Sequence, residues 1–111
     1  MDAASGPAFY QVSVTAPSPE EAGSLGQMVV GRRLAACAQI SGPISSTYWW
    51  DGEVRSAPEW QCTLKTTSSR LEELMAAVRE AHSYEVPEII ATPIVTGEPA
   101  YLAWIAGETG D

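Results

Sequence analysis

Alternation opens the chain. In AFYQVSVTA (8–16), Ala8, Tyr10, Val12, Val14 and Ala16 share one side, and Phe9, Gln11, Ser13 and Thr15 the other. That is the period of a strand with one apolar face. The pattern then lengthens to helical spacing in SPEEAGSLGQMVVGRRL (18–34): Ser18 suits the cap, Pro19 the first helical position, and Glu21 completes a Ser-x-x-Glu capping box. Ala22, Leu25 and Val29 form the apolar stripe. Gly23 and Gly26 each cost about 1 kcal/mol relative to alanine in a helix interior, so packing must supply the difference. Arg32 and Arg33 complement the negative end of the helix dipole.

Residues 35–67 read as a long hairpin turning at Asp51-Gly52, the dipeptide favoured where both turn positions need positive φ. Tyr48, Trp49 and Trp50 lead into the turn. On the returning strand Trp60, Cys62, Leu64 and Thr66 face one way, and Glu59, Gln61, Thr63 and Lys65 the other. SSRLEELMAAVREAH (68–82) predicts a second helix with a Ser69/Glu72 capping box and a stripe of Leu71, Leu74, Met75, Val78 and His82. EIIATPIV (88–95) predicts a last strand that Pro93 confines to an edge or a bulge. EPAYLAWIAG (98–107) predicts a short helix from Pro99 with Tyr101, Leu102, Trp104 and Ile105 as its apolar side. The order βαββαβ plus a C-terminal helix is that of an α+β, ferredoxin-like sandwich. One domain, residues 8–111, follows a small, polar, flexible tail, residues 1–7.

Both helices of such a fold cover one sheet face, leaving the other bare unless it is polar or meets another subunit. The faces depend on the hairpin register. A regular hairpin sets Cys37 opposite Thr66 and buries Gln39 and Ser41. A one-residue bulge at Gly42-Pro43 instead turns Ala36, Ala38 and Ile40 inward, and places Cys37 and Gln39 with Thr63 and Lys65 on the bare face beside Gln11, Ser13 and Thr15. The bulged register buries more apolar surface and is the expected one. It puts Cys37 and Cys62 on opposite faces, where no disulfide can join them. Cys37 then serves either as a small hydrophobe at a subunit contact, or as a thiolate, stabilised by Lys65, for a soft metal such as Cu(I).

Charge changes the range of partners. Fourteen acidic against six basic residues give a net charge of −8, which opposes binding to nucleic acid and to anionic membranes. No apolar run approaches the ~20 residues of a membrane span, and MDAASGPAFY lacks a basic or apolar signal core. Two cysteines without CxxC spacing fit a reducing compartment, and a cytoplasmic protein is expected.

LAACAQISGPISSTYWWDGEV, CTLKTTSSRLEEL, HSYEVPEII and EPAYLAWI, in this order and spacing, resemble the CutA divalent-cation-tolerance family over about residues 9–105. The matching motifs are Leu-Ala-Ala-Cys ending at Cys37, the aromatic hairpin at Tyr48, Trp49 and Trp50, Lys65-Thr66, and His-x-Tyr-Glu-x-Pro-Glu from His82 to Glu88. Ser83 departs from the proline often found there, which leaves that turn less rigid. The resemblance implies a tight homotrimer with an architecture similar to PII signalling proteins, a link to copper or other divalent ions, an unidentified protein partner for any signal, and no enzymatic activity. It points to Cys37, His82 and Glu85 as metal ligands. Further cysteines of some relatives fall here at Val14 and Ala77, neither of which can ligate. Two soft or borderline donors fall short of a closed tetrahedral site, so tight binding needs water or a second subunit.

Trimer formation answers the bare sheet face. The hairpin of Tyr48, Trp49 and Trp50 becomes the arm reaching a neighbour, or else both tryptophans shield their own sheet edge. The other function classes are a binding module for a small metabolite or anion in the inter-subunit cleft, using Lys65 and Tyr84, and an enzyme moving protons with His82 and Glu85 and with Tyr84 as donor. No nucleophile motif or phosphate loop supports the enzyme. For Lys65 the plainer role is an interface ion pair. For His82 it is a buried position at the end of the second helix, with the motif lining an inter-subunit cleft.

Overall fold

The computed structural model describes residues 6–110. The expected tail, residues 1–7, lies outside them except for Gly6 and Pro7. Along the chain run β1 (Phe9–Ala16), α1 (Pro19–Gly31), β2 (Cys37–Trp50), β3 (Glu53–Thr67), α2 (Leu71–Ala81), β4 (Ile89–Pro93) and α3 (Pro99–Glu108). The sheet has the order β2-β3-β1-β4 with antiparallel pairing throughout, the α+β arrangement that the element order predicted. β4 stops at Pro93, two residues short of the expected end, and lies at the sheet edge that proline requires.

Alternation decides what each strand buries. Val12, Val14, Cys62 and Leu64 face the helices and are buried against Ala22, Leu25 and Val29 of α1 and Leu74, Ala77 and Val78 of α2. Gly26 has a reason to be glycine. A Cβ there would stand 2.8 Å from the Cβ of Ala38, so its absence lets α1 lie directly on β2. Gly23 has no neighbour within 4 Å of such an atom, and nothing in the packing explains it.

The bulge falls where the sequence placed it. Ile44 pairs with Glu59, but Ser41 pairs with Gln61, and from there Cys37 stands opposite Lys65. Gly42 adopts φ +149, and a Cβ on it would lie 2.6 Å from the Trp60 ring, so the turn in the strand admits no side chain. Ala38 and Ile40 point toward α1 as expected, although Ile40, at the free edge, stays 41% exposed.

The α1 start keeps its expected cap at Ser18 and first residue at Pro19 but lacks the return bond of the box, and the α2 start differs from expectation. At α1 the Ser18 hydroxyl accepts the Glu21 N–H at 3.1 Å, but the Glu21 carboxylate turns away and accepts the Ser83 N–H at 2.9 Å. At α2 the cap is Arg70, with no side-chain cap hydrogen bond, and the Ser69 hydroxyl lies 3.1 Å from that of Thr67. The expected Ser69/Glu72 box is not the cap: the helix starts one residue later, and Arg70 reaches outward instead.

That reach fastens α3. Arg70 Nε donates to the Thr109 carbonyl at 2.8 Å, and Arg33 donates to the Glu108 carbonyl at 3.0 Å and to its carboxylate at 3.1 Å. Two cations thus meet the negative end of α3. Arg33, at φ 60, does more than complement the dipole of its own helix. Ile105 is fully buried, but Tyr101 and Trp104, expected on the apolar side, are exposed and stack on each other at 5.5 Å.

Beyond Trp60, β3 has no partner except β2, because β1 ends opposite Trp60 at Ala16. Residues 44–59 therefore leave the sheet as a two-stranded arm, and the molecule is 49 Å long against 27 and 25 Å across.

Candidate functional site

Cys37 begins β2 on the sheet face away from α1 and α2. Its thiol is half-buried, and Sγ lies 3.6 Å from the Tyr101 hydroxyl of α3. The contact with Cys37, together with burial, raises the tyrosine's proton affinity. Opposite Cys37, the Lys65 ammonium donates to the neutral Gln39 amide at 2.8 Å. The second cysteine, Cys62, is fully buried in the core, and burial pushes its thiol up to about 11, so it is a packing residue.

His82 sits elsewhere. It is the C-cap of α2, and its ring is buried against the last turn of β1. Nε2 donates to the Thr15 carbonyl at 2.7 Å, and Nδ1 accepts the Tyr84 N–H at 3.0 Å. Both ring nitrogens are thus committed to the chain's own backbone. Cys37 lies beside Lys65 and, across β3, Gln11; His82 lies at Thr15. Four residues of β1 separate them, about 13 Å at the usual strand rise. Glu85 is exposed on the following turn.

The three expected ligands Cys37, His82 and Glu85 are therefore not gathered in one chain. Among the described residues no three of the His, Cys, Asp and Glu side chains form a metal-binding group. The imidazole that the motif offers has no lone pair to spare. Lys65 and Tyr84, the expected anion ligands, are likewise apart, one at each end of the sheet.

Tyr84 closes a second contact that the sequence did not announce. Its hydroxyl donates to Glu59 Oε2 at 2.8 Å, and its ring lies tilted against that of His82 at 4.8 Å. Burial first, then the Glu59 hydrogen bond and charge, raise the hydroxyl to about 12, so it keeps its proton and donates. Glu59 is buried and pairs with Ile44, the first residue beyond the bulge. Glu21, Thr15, His82, Tyr84 and Glu59 thus tie α1, β1, the end of α2 and the root of the arm together. Glu21 lies 61 positions before His82, and Glu59 lies 25 before Tyr84; only folding brings them near, and no local spacing signals it.

The arm shows two different faces. Ser45, Thr47 and Trp49 share one with Val54, Ser56 and Pro58, and that face carries no charge. Thr47 and Ser56 hydroxyls meet across it at 3.0 Å. The other face carries Tyr48, Trp50, Glu53 and Arg55 and leads down to Glu59. Trp49 is 74% exposed, Trp50 60% and Val54 58%. Neither tryptophan shields its own sheet edge in the single chain.

The model of the family described as CutA1 divalent ion tolerance protein matches residues 10–108. The chain belongs to that family. It is 40% identical over 98 residues to the rice "Protein CutA 1, chloroplastic", covering 88% of this chain and 55% of the relative, so it spans about half the length of that protein. It is 40% identical over 99 residues to the divalent-cation tolerance protein CutA of Thermus thermophilus, covering 89% of this chain and 96% of the relative. The crystal structure of CutA1 from Oryza sativa superposes with a TM-score of 0.91 at 37% identity, covering 95% of this chain and 96% of that one. The CutA1 match includes the arm, Cys37 and the motif at His82. No helix among the described residues is long and apolar enough to cross a membrane.

Proposed function

We propose that the chain acts as a homotrimer of PII-like architecture that responds to divalent or cuprous ions, without catalysis, in a reducing compartment such as the cytoplasm. The observation that carries the assembly is the arm. An isolated two-stranded ribbon is marginal in water, yet this one exposes Trp49, Trp50 and Val54 and leaves one face free of charge. The sheet also ends in two unlike free edges, β2 and β4. Unlike edges can pair head to tail, and such a contact forms a ring when its rotation closes. The family membership supports the cation response.

Cys37 is the soft donor we assign to copper, because a thiolate selects Cu(I) over harder ions. Its remaining ligands come from a neighbouring subunit or water. His82 is left out of the ligand set, since both its nitrogens are used. The same engagement, with Glu85 exposed, supports the reading without catalysis. Light scattering on the purified chain is expected to give three times the chain mass, and a Cys37→Ala variant to lose tight Cu(I) binding in a competition titration. A monomer at micromolar concentration defeats the assembly; unchanged Cu(I) affinity in the variant defeats the ligand.

A second reading is a small anion in the inter-subunit cleft at Lys65, favoured by the pairing of that cation with a neutral amide. A thermal-shift screen of nucleotides and carboxylates, repeated on Lys65→Met, tests it.

A further inference from the structure

One chain of contacts runs from the end of α2 to the root of the arm, and its first link is the only histidine of the sequence. The Thr15 carbonyl can only accept, so Nε2 of His82 carries the ring's proton. Nδ1, the acceptor of the Tyr84 N–H at 3.0 Å, also has Glu21 Oε2 3.4 Å away, while that carboxylate accepts the Ser83 N–H at 2.9 Å. The groups facing the ring are Glu21 from α1, the Thr15 carbonyl from β1 and Tyr84 from the turn. Behind Tyr84 stand Glu59 from β3 and Tyr48 from β2. All are neutral or negative, and the C-terminal carbonyls of α2 add the negative end of its dipole.

We propose that His82 is a proton switch that latches or releases the root of the arm. A proton taken from solvent onto Nδ1 turns that atom from acceptor into donor. Glu21 gains a charge-assisted hydrogen bond, and the Tyr84 N–H loses its acceptor and now faces another N–H. The backbone at residue 84 has to move away. Its ring, tilted 42° against the imidazole, moves with it, and the hydroxyl at the far end is the one bonded to Glu59 opposite Ile44. A charge added at the end of one helix is thereby delivered to the first pair of the arm. Histidine is the side chain suited to do so between pH 5 and 8. The switch acts within one chain, between the turn after α2 and the root of its own arm, and involves no copper ligand.

The test is nuclear magnetic resonance on the full chain, where a single histidine gives a single imidazole. At pH 8 the ring is expected as the Nε2–H tautomer. On acidification the Tyr84 amide shift follows the imidazole midpoint, and protection factors of arm amides fall about fivefold, the effect of one lost hydrogen bond. Core amides at Val12 and Leu64 stay protected. In Tyr84→Phe the ring still titrates, but the arm is already less protected at pH 8 and stays so. An Nδ1–H tautomer at pH 8 overturns the proposal, as does an arm whose protection ignores the imidazole titration. So does loss of core protection together with the arm, which marks global acid unfolding, or a pH response of the arm that persists in Tyr84→Phe.

Discussion

The body and the arm are written in the same alternating script and come to opposite ends. In the body, Val12, Val14, Cys62 and Leu64 alternate with polar neighbours, and all four are fully buried because α1 and α2 cover their face. In the arm the two sides alternate just as regularly, but Trp49 lies between Tyr48 and Trp50 and Val54 between Glu53 and Arg55, and both stay exposed because no described element of the chain lies over them. Alternation specifies which side of a strand a residue takes. What covers that side is a separate question, answered for the body within the chain and, under the proposed assembly, for the arm by a neighbouring subunit.

The comparison breaks most severely at Leu64. Leu64→Ala should cost about 2–5 kcal/mol, since a fully buried leucine leaves both lost transfer energy and a cavity, and denaturant unfolding of the dilute protein measures it. Gly42→Ala, at the border between the two regions, should cost roughly 2–3 kcal/mol through its φ of +149 and its collision with Trp60. A cost below about 0.5 kcal/mol would mean that the arm can swing to relieve the clash.

Alkaline titration sharpens the contrast with less force. Cys62 in the body and Tyr84 at the arm root hold their protons up to about 11 and about 12, above their ordinary 9.0 and 10.0. The folded state then binds more protons than the unfolded one, so stability is complete below pH 9 and falls as pH rises toward 12. In Cys62→Ala the fall should begin about one unit later, near the ordinary value for tyrosine, when unfolding is followed across that range. The smallest effect on the fold belongs to Trp49→Ser, within about 0.5 kcal/mol for the dilute single chain. The same change should weaken self-association, read as a loss of mass in light scattering. A fold cost like that of Leu64→Ala would put Trp49 inside the body.

The sequence carried what rests on period and local chemistry. The strand faces, the Asp51-Gly52 turn, the bulge at Gly42 and the opposite placement of Cys37 and Cys62 all follow from alternation and from where glycine and proline interrupt it. The failures share one cause. Glu21 fits a capping box by spacing, but the Ser83 N–H competes for its carboxylate across the fold. Ser69 sits three residues before Glu72, yet Arg70 takes the cap position and spends its side chain on Thr109. His82 has the chemistry of a ligand until Thr15 and Tyr84 occupy its nitrogens. Each error came from a side chain whose nearest partner in space is far from it in sequence, or is backbone.

The single extra residue between Ser41 and Ile44 also sets the grammar of what this strand can tolerate. It restarts the count of sides, so the arm and the body keep independent phases. Two residues added to each strand of the arm would lengthen it by one full repeat and leave every side chain of the body where it is. Removing one residue at Gly42 would do the reverse. Cys37 and Gln39 would turn toward α1, and Ala38 and Ile40 would turn out to water, although no residue of the body had been changed.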